Sequence, residues 1–212
     1  MNQFFSKKQE LFIRRAFDLA RLAEGSAVPN PMVGAVIVFK DRIIGEGFFK
    51  GFGMPHAEVN AVNNIKTDDR KYLTQSEIYV SLEPCNFFGK TPACTSLILK
   101  SKIPKVIISS IDKTPQVSGN GIDLLRQNGV EVLTGILEKK GNELVKYRTN
   151  YVERNTPFVI LEHDSNLNLG GFLFVKRMGT NAIENKIEIK INGSYFIGLL
   201  TFSKTLPKAN AK

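Results

Sequence analysis

Short apolar runs alternate with amphipathic segments through most of this chain, and this alternation constrains its fold more than any other feature. Residues 33–39, 77–82 and 105–109 have the length and the β-branched composition of buried strands. Between these runs, apolar residues recur at helical spacing, as they do after Ser6 and again across residues 138–154. The predicted order is α-β-β-α-β-α-β-α-β-α. It favours an α/β fold, a three-layer α/β/α sandwich around a mixed five-stranded sheet.

Local signals define several of these elements. Ser6 and Gln9 have the spacing of a capping box at the start of the first helix, and Gly25 is a suitable stop. Residues 40–42 turn the first strand back into a second one at 43–49, which predicts a hairpin. The remaining predicted elements are helices at 57–65, 96–102, around Leu124 and at 138–154, and a strand at 130–133.

The sequence pattern changes after Thr156-Pro157, where alternating strands and helices give way to short strands and polar segments. Short strands are predicted at 158–161, 187–191 and 195–202, and Asn192-Gly193 between the last two is a hairpin signal. Residues 163–171 are polar and rich in Gly and Asn, and residues 207–212 are predicted to fray. We therefore predict a domain at 1–155 and a short, partly disordered C-terminal extension at 156–212.

Composition narrows the class of protein. The chain has 212 residues, of which 42% are hydrophobic and 23% charged, as in ordinary globular proteins and unlike disordered ones. It contains neither a membrane-spanning apolar run nor the apolar core of a signal peptide, so we expect a cytoplasmic protein with no membrane partner. The net charge of +9 leaves three explanations open: nucleic-acid binding, an anionic phosphate substrate or a solvated lysine-rich surface.

Any metal site must come from a very short list, because the chain has only two cysteines and two histidines. His56 opens a predicted helix, Cys85 follows a predicted strand, and Cys94 stands near the start of the next helix. Catalytic zinc takes three protein ligands and leaves one coordination position open, and these three residues supply that number. Each of them alone is more often a surface histidine or a buried thiol. Together and in this order, they predict one zinc ion per chain.

Glu58 is the candidate catalytic residue. It stands two residues after His56, so its side chain can face the open coordination position rather than bind the metal. A carboxylate there can take a proton from the attacking water and deliver it to a ring nitrogen and a departing amine. His-x-Glu followed by Pro-Cys-x-x-Cys is the signature of nucleobase deaminases, but here residues 86–93 separate the two cysteines.

Three stretches resemble one family within the deaminases. Residues 28–34 (VPNPMVG), 55–61 (PHAEVNA) and 81–94 (SLEPCNFFGKTPAC) are similar to the riboflavin-biosynthesis pyrimidine deaminases, and residues 112–119 are similar to that family's next loop. The resemblance covers about residues 8–155. The long gap with Gly-Lys-Thr-Pro is specific to this family, since cytidine and tRNA-adenosine deaminases usually keep two residues between the cysteines.

The resemblance implies a cytidine deaminase-like fold and a specific reaction. The reaction is hydrolytic deamination of 2,5-diamino-6-ribosylamino-4(3H)-pyrimidinone 5′-phosphate to 5-amino-6-ribosylamino-2,4(1H,3H)-pyrimidinedione 5′-phosphate, with release of ammonia. By position, His56, Cys85 and Cys94 bind zinc and Glu58 moves the proton. Asn30, Lys90 and Asp112 match positions that contact substrate. The resemblance also implies a homodimer, although no residue pattern in this chain by itself indicates one.

Three positions depart from the family pattern. Phe49 and Phe87 stand where histidine is common, and Thr114 stands where asparagine is. The zinc ligands and Glu58 are unchanged, so these departures concern substrate affinity rather than the chemistry. Two other functions stay open: a deaminase that acts on another base such as a tRNA adenosine, and a decayed, zinc-stabilised subunit without activity.

The C-terminal extension bears on a second reaction. In the common bifunctional arrangement, a reductase that uses NADPH follows the deaminase, and residues 142–161 resemble the junction between them. Only about fifty residues follow, whereas a dinucleotide-binding domain typically needs well over a hundred. No glycine-rich phosphate loop is present in them. We expect a truncated remnant of a reductase domain, no reductase activity, and a separate reductase for the next step.

Overall fold

The computed structural model describes residues 5–27, 30–89, 92–154, 158–163, 173–178, 186–191 and 194–199. The chain forms two compact units, Met1–Gly179 and Thr180–Lys212. Within the described residues, no helix combines the length and the apolar character that a membrane span needs.

A mixed five-stranded sheet forms the centre of the first unit, as predicted. The strand order is β2-β1-β3-β4-β5. β1 is antiparallel to both β2 and β3, whereas β3, β4 and β5 are mutually parallel. The strands are β1 (Gly34–Phe39), β2 (Arg42–Phe48), β3 (Glu77–Leu82), β4 (Lys105–Ser110) and β5 (Glu131–Thr134).

Helices cover both faces of this sheet, which confirms the three-layer α/β/α sandwich. α1 and α5 pack against one face, and α2, α3 and α4 cover the other. A 3-10 helix, Thr67–Gln75, was not predicted, because its polar sequence has no apolar periodicity. The α-helices are α1 (Lys7–Arg21), α2 (Ala57–Asn63), α3 (Cys94–Lys100), α4 (Asn120–Gln127) and α5 (Glu138–Arg154).

Alternating side chains on the central strands divide between two cores. In β3, Ile78 and Val80 pack with the α2–α4 layer, while Tyr79 between them packs with the α1 and α5 layer. Ile107 and Ile108 in β4 separate in the same way. Because successive side chains of a strand point to opposite faces, an unbroken apolar run fits only a sheet that is buried on both sides.

The local signals at the start of the chain are confirmed. Ser6 and Gln9 form the capping box: the Gln9 amide donates to Ser6 Oγ, and the Ser6 amide donates to Gln9 Oε1. Lys40 and Asp41 connect β1 to β2 with positive φ angles of 46° and 63°. Two such residues give a tight turn whose twist matches that of the flanking strands. The hairpin therefore forms as expected.

Close packing between β2 and α2 fixes where the second helix begins. A Cβ atom on Gly47 would lie 2.3 Å from the Ala61 nitrogen and 2.5 Å from the Ala57 oxygen. Only glycine lets the helix backbone approach the strand this closely. The approach sets the position of α2, whose first turn carries Glu58, the residue expected to be catalytic.

Four further strands follow α5. β6 (Phe158–His163) pairs with β7 (Leu173–Met178) in an antiparallel sheet within the first unit. β8 (Lys186–Ile191) pairs with β9 (Ser194–Leu199) in the second unit. The predicted strands at 158–161, 187–191 and 195–202 overlap β6, β8 and β9, and β7 was not predicted. Asn192-Gly193, residues 164–171 and residues 207–212 lie outside the described residues.

Candidate active site

The three predicted metal ligands come from the ends of three elements. His56 is the residue immediately before α2, and Cys94 is the first residue of α3. Cys85 follows the carboxyl end of β3 after Glu83-Pro84. The amide of Thr95 donates to the Cys85 carbonyl at 3.1 Å, which attaches the start of α3 to the segment after β3. The fold thus brings together residues that are far apart in the sequence.

Their ligand atoms lie close enough to share one ion. His56 Nδ1 lies 3.5 Å from Cys85 Sγ and 3.3 Å from Cys94 Sγ, and all three ligand atoms are within 4.8 Å of one another. A tetrahedral zinc with bonds of about 2.0 Å to nitrogen and 2.3 Å to sulfur would hold these atoms about 3.6 Å apart. One imidazole and two thiols at these separations therefore fit zinc.

The two thiols have different proton affinities. Hydrogen bonds from Cys94 and His56 lower the pKa of Cys85 to about 4, and the amide of Cys94 also donates to its sulfur at 3.4 Å. The hydrogen bond with Cys85, together with burial, raises the pKa of Cys94. The hydrogen bond with Cys85 also raises the pKa of His56. Cys85 is therefore the thiol that ionises more readily, and the thiolate is the form in which cysteine binds a metal.

Glu58 lies in the first turn of α2 beside these ligands. Its side chain is buried, with only 3% of the residue exposed, and this burial raises the pKa of its carboxyl group. Burial that disfavours the charged form of a carboxyl group favours the form that holds a proton. Glu58 thus has the position and the environment of a proton carrier.

Phe49 contacts the imidazole directly. Its ring lies edge-on to the ring of His56 with a centroid separation of 5.7 Å, and it is itself buried. A buried aromatic neighbour restricts how the imidazole can rotate. The sequence marked Phe49 only as a departure from the family pattern, whereas the structure gives it a packing role.

A cavity of about 300 Å³ opens in front of this group. His56, Glu58 and Cys85 line it, and so do Asn30 and Asp112, two of the predicted substrate contacts. Lys90, the third, lies outside the described residues. Further lining residues are Phe87, Thr114, Gln116 and Arg148.

Glu83 is a buried acid that the sequence analysis did not single out. It accepts hydrogen bonds from the backbone amides of Asp112 at 3.3 Å, Gly119 at 3.0 Å and Gly121 at 3.1 Å. Burial nevertheless raises the pKa of its carboxyl group, although these amides act in the opposite direction. An acid immediately before Pro84-Cys85 was the available signal. Glu83 joins the strand that leads to Cys85 to the loop that carries Asp112.

Comparisons with known proteins agree with this site. A family model for the cytidine and deoxycytidylate deaminase zinc-binding region matches residues 6–110. The diaminohydroxyphosphoribosylamino-pyrimidine deaminase of Buchnera aphidicola subsp. Schizaphis graminum is 42% identical over 147 residues, which cover 69% of this chain and 95% of that protein. The riboflavin biosynthesis protein RibD of Bacillus amyloliquefaciens is 40% identical over 159 residues, 75% of this chain but 42% of that protein.

A solved structure extends the similarity to the fold. The diaminohydroxyphosphoribosylaminopyrimidine deaminase/5-amino-6-(5-phosphoribosylamino)uracil reductase of Thermotoga maritima matches with a TM-score of 0.66 and 43% identity. The match covers 71% of this chain and 43% of that one. The chain thus spans less than half the length of the Bacillus RibD protein and of the Thermotoga deaminase/reductase.

The fold and the site define a zinc-binding deaminase of the cytidine deaminase-like class. Within that class, the match over nearly the whole Buchnera protein is decisive. The chain belongs to the diaminohydroxyphosphoribosylamino-pyrimidine deaminase family, which confirms the resemblance that its motifs indicated.

Proposed function

We propose that this protein deaminates 2,5-diamino-6-ribosylamino-4(3H)-pyrimidinone 5′-phosphate, with water as the second substrate and ammonia as the released product. One observation carries the proposal: His56, Cys85 and Cys94 converge beside the buried Glu58 at a cavity of about 300 Å³. A cavity of this size is at the lower end of the range for small-molecule sites. The name of the Buchnera relative supplies the substrate class.

His56, Cys85 and Cys94 would hold the zinc ion. When bound, zinc supplies a Lewis acid that lowers the pKa of water to near neutrality. Glu58 takes one proton from the attacking water as the water oxygen bonds to the ring carbon, and gives it to the ring nitrogen. It then takes the second proton from the hydroxyl group so formed and gives it to the amine, which leaves as ammonia when the C–N bond breaks. Burial, which raises the pKa of Glu58, suits it to hold that proton between the two steps.

Asn30, Asp112 and Lys90 are the proposed substrate contacts. Asn30 and Asp112 line the cavity, where an amide can bind the base edge or the ribose, and a carboxylate can accept from ribose hydroxyls. Lys90 would bind the phosphate or a ring carbonyl. Phe49 and Phe87 offer no hydrogen bonds, so we expect the family departures to change substrate affinity rather than the proton transfer.

Ammonia release by the purified 212-residue chain tests the reaction. The wild type should release ammonia from the phosphorylated pyrimidine, and Glu58→Gln should reduce kcat by at least about a hundredfold, because general acid–base catalysis typically contributes that much. Glu143→Gln is the matched control. It removes an exposed carboxylate on α5 that pairs only locally with Lys146, and it should leave the rate unchanged.

Each contrary result has a distinct meaning. Bound zinc without any ammonia release contradicts the proposed reaction and favours a non-catalytic, zinc-stabilised subunit. Full turnover by Glu58→Gln contradicts the proton-transfer role. Retardation of tRNA by nanomolar protein at physiological salt would instead favour a deaminase that acts on RNA.

The extent of the deaminase domain, the cellular compartment and the oligomeric state are also part of this proposal. Residues 1–155 would form the deaminase domain, and the protein would act in the cytoplasm, where cysteines such as Cys85 and Cys94 stay reduced. The homodimer implied by the family resemblance is tested by the molar mass of the purified protein in solution.

A further inference from the structure

Arg148 lies on the buried face of α5, where a charged residue is unusual. Gly141, Leu144 and Val145 are buried on this helix and precede Arg148 by seven, four and three positions. Residues at these spacings share one side of a helix, so Arg148 continues the side that packs against the domain. It is half-buried and lines the cavity in front of the metal ligands.

The packing of α5 explains how this residue reaches the site. A Cβ atom on Gly141 would lie 2.2 Å from Ser110 Oγ and 2.5 Å from Ser109 Oγ, so the helix lies directly against the end of β4. That strand continues into Asp112, which also lines the cavity. Arg148 follows Gly141 by two turns on the same side of the helix, and it lines the cavity together with Asp112.

The charges that line the cavity indicate what Arg148 can bind. Among the cavity-lining residues in the described part of the chain, Arg148 is the only arginine or lysine, whereas Glu58, Glu83 and Asp112 are acids. A phosphate dianion would be repelled by these acids unless a cation met it. The guanidinium group binds phosphate oxygens through two parallel hydrogen bonds, which suits it to this task.

We propose that Arg148 binds the 5′-phosphate of the substrate and makes the enzyme selective for phosphorylated pyrimidines. The inference rests on the proposed function, because the phosphate belongs to that substrate. A role in stabilising the end of the helix does not explain the arginine: α5 ends at Arg154, so Arg148 lies before the last turn.

Michaelis constants for the pyrimidine with and without its phosphate test the role of Arg148. In the wild type, removal of the phosphate should raise KM by about ten- to a hundredfold, the usual effect of losing hydrogen bonds between charged groups. Arg148→Gln should raise KM for the phosphorylated compound by a similar factor, with kcat little changed. It should leave KM for the dephosphorylated compound unaltered, and Arg148→Lys should restore part of the selectivity.

Lys146→Gln is the matched control, since it removes one positive charge from the same helix. Lys146 forms a local ion pair with Glu143, and its substitution should not alter selectivity. An equal rise in KM for both compounds in Arg148→Gln, or no rise in either, overturns the role of Arg148. Zinc content and circular dichroism of each variant establish that the fold is retained.

Binding to a variant that does not turn over separates this inference from the proposed function. Calorimetry on Glu58→Gln should detect the phosphorylated pyrimidine, and the double variant with Arg148→Gln should bind it about ten- to a hundredfold more weakly. Equal affinities in the two variants contradict the role of Arg148 alone. No binding of the phosphorylated pyrimidine to Glu58→Gln contradicts the proposed function and this inference with it.

Discussion

At the scale of single residues, the carboxylate of Glu83 joins two parts of the site. One part is the segment after β3 that carries Cys85, and the other runs from Asp112 through the loop before α4 to Gly121 in the first turn of that helix. Only 4% of Glu83 is exposed, and backbone amides of the loop donate to both of its oxygens. A carboxylate only accepts, so all these amides are satisfied by one side chain.

Glu83→Gln should therefore loosen the loop. The side-chain NH₂ of glutamine would face backbone N–H groups, and the loss should cost about 1–3 kcal/mol of unfolding free energy. Because the loop carries Asp112, KM should rise more than kcat falls. Urea unfolding and steady-state kinetics measure the two effects, with Glu143→Gln as the exposed control. Unchanged stability and KM would contradict the role of Glu83 in holding the loop.

The ion pair between Arg15 of α1 and Glu46 of β2 makes a contribution to the unfolding free energy that depends on pH. Arg15 Nε and Nη2 donate to the two carboxylate oxygens of Glu46 at 2.7 and 2.9 Å. These hydrogen bonds lower the pKa of Glu46 from its ordinary value of 4.5. A lowered folded-state pKa means that the pair stabilises the fold above about pH 4.5. The contribution is lost as pH falls through the lower folded-state value.

Glu46→Gln should accordingly destabilise the protein at pH 7 by less than about 1 kcal/mol, since the pair is partly exposed. The difference from the wild type should shrink as the pH falls below 4.5, because protonated glutamate resembles glutamine. Urea unfolding at several pH values measures it. In a background of Arg15→Gln, the same substitution should lose this pH dependence. A constant difference from pH 7 downward contradicts the assignment.

At the scale of secondary-structure elements, the contact between β2 and α2 positions the helix that carries Glu58. α2 is short, and its first turn holds Glu58 while His56 immediately precedes it. The strand beneath the helix fixes its position, since the two backbones pack so closely at Gly47 that no side chain fits between them. A shift of this contact would move His56 and Glu58, the proposed metal ligand and the proposed proton carrier, together.

Gly47→Ala should displace α2 and weaken zinc binding. The added methyl group would collide with the helix backbone, and we expect a loss of about 3 kcal/mol, at the upper end for overpacking. Gly129→Ala is the comparison: its Cβ would meet no atom within 4 Å, and its φ of +80° alone should cost about 1 kcal/mol. Chemical unfolding and zinc content separate them. Equal losses in the two variants, with zinc retained, would contradict the expectation.

At the scale of the whole molecule, one ion would join elements that are distant in the sequence. His56 precedes α2, Cys85 follows β3, and Cys94 begins α3. Without the metal, these segments retain a buried acid and two adjacent thiols. Metal that binds only the folded state adds its binding free energy to the stability of the fold.

Removal of zinc should therefore lower Tm as well as abolish ammonia release. At a free zinc concentration a hundred times Kd, the ion adds about 2.7 kcal/mol, which corresponds to a shift of about 5–10 °C for a chain of this length. Differential scanning calorimetry with a chelator measures it, and added zinc should reverse it. Cys85→Ser should have the Tm of the zinc-free wild type, and the chelator should not lower it further. A wild-type Tm that is indifferent to complete zinc removal would contradict this coupling.

The predictability of the fold differed between elements for physical reasons. The mainly apolar strand at 77–82 and the amphipathic helix at 138–154 match β3 and α5 residue for residue, since burial leaves a strong apolar signal in the sequence. Thr67–Gln75 and β7 were missed. The 3-10 helix has no buried residue, so no apolar pattern marks it in the sequence.

The sequence by itself determined the sheet, its two helical layers and the metal-ligand set, because hydrophobic periodicity and the short supply of His and Cys are properties of the chain alone. Only the tertiary structure decided how Phe49, Glu83 and Arg148 relate to that site. Phe49 packs against His56 from the other side of a loop, Glu83 binds a segment about thirty residues further along the chain, and Arg148 reaches the cavity from α5. Contacts of that kind depend on how strands and helices pack, and no local pattern records them.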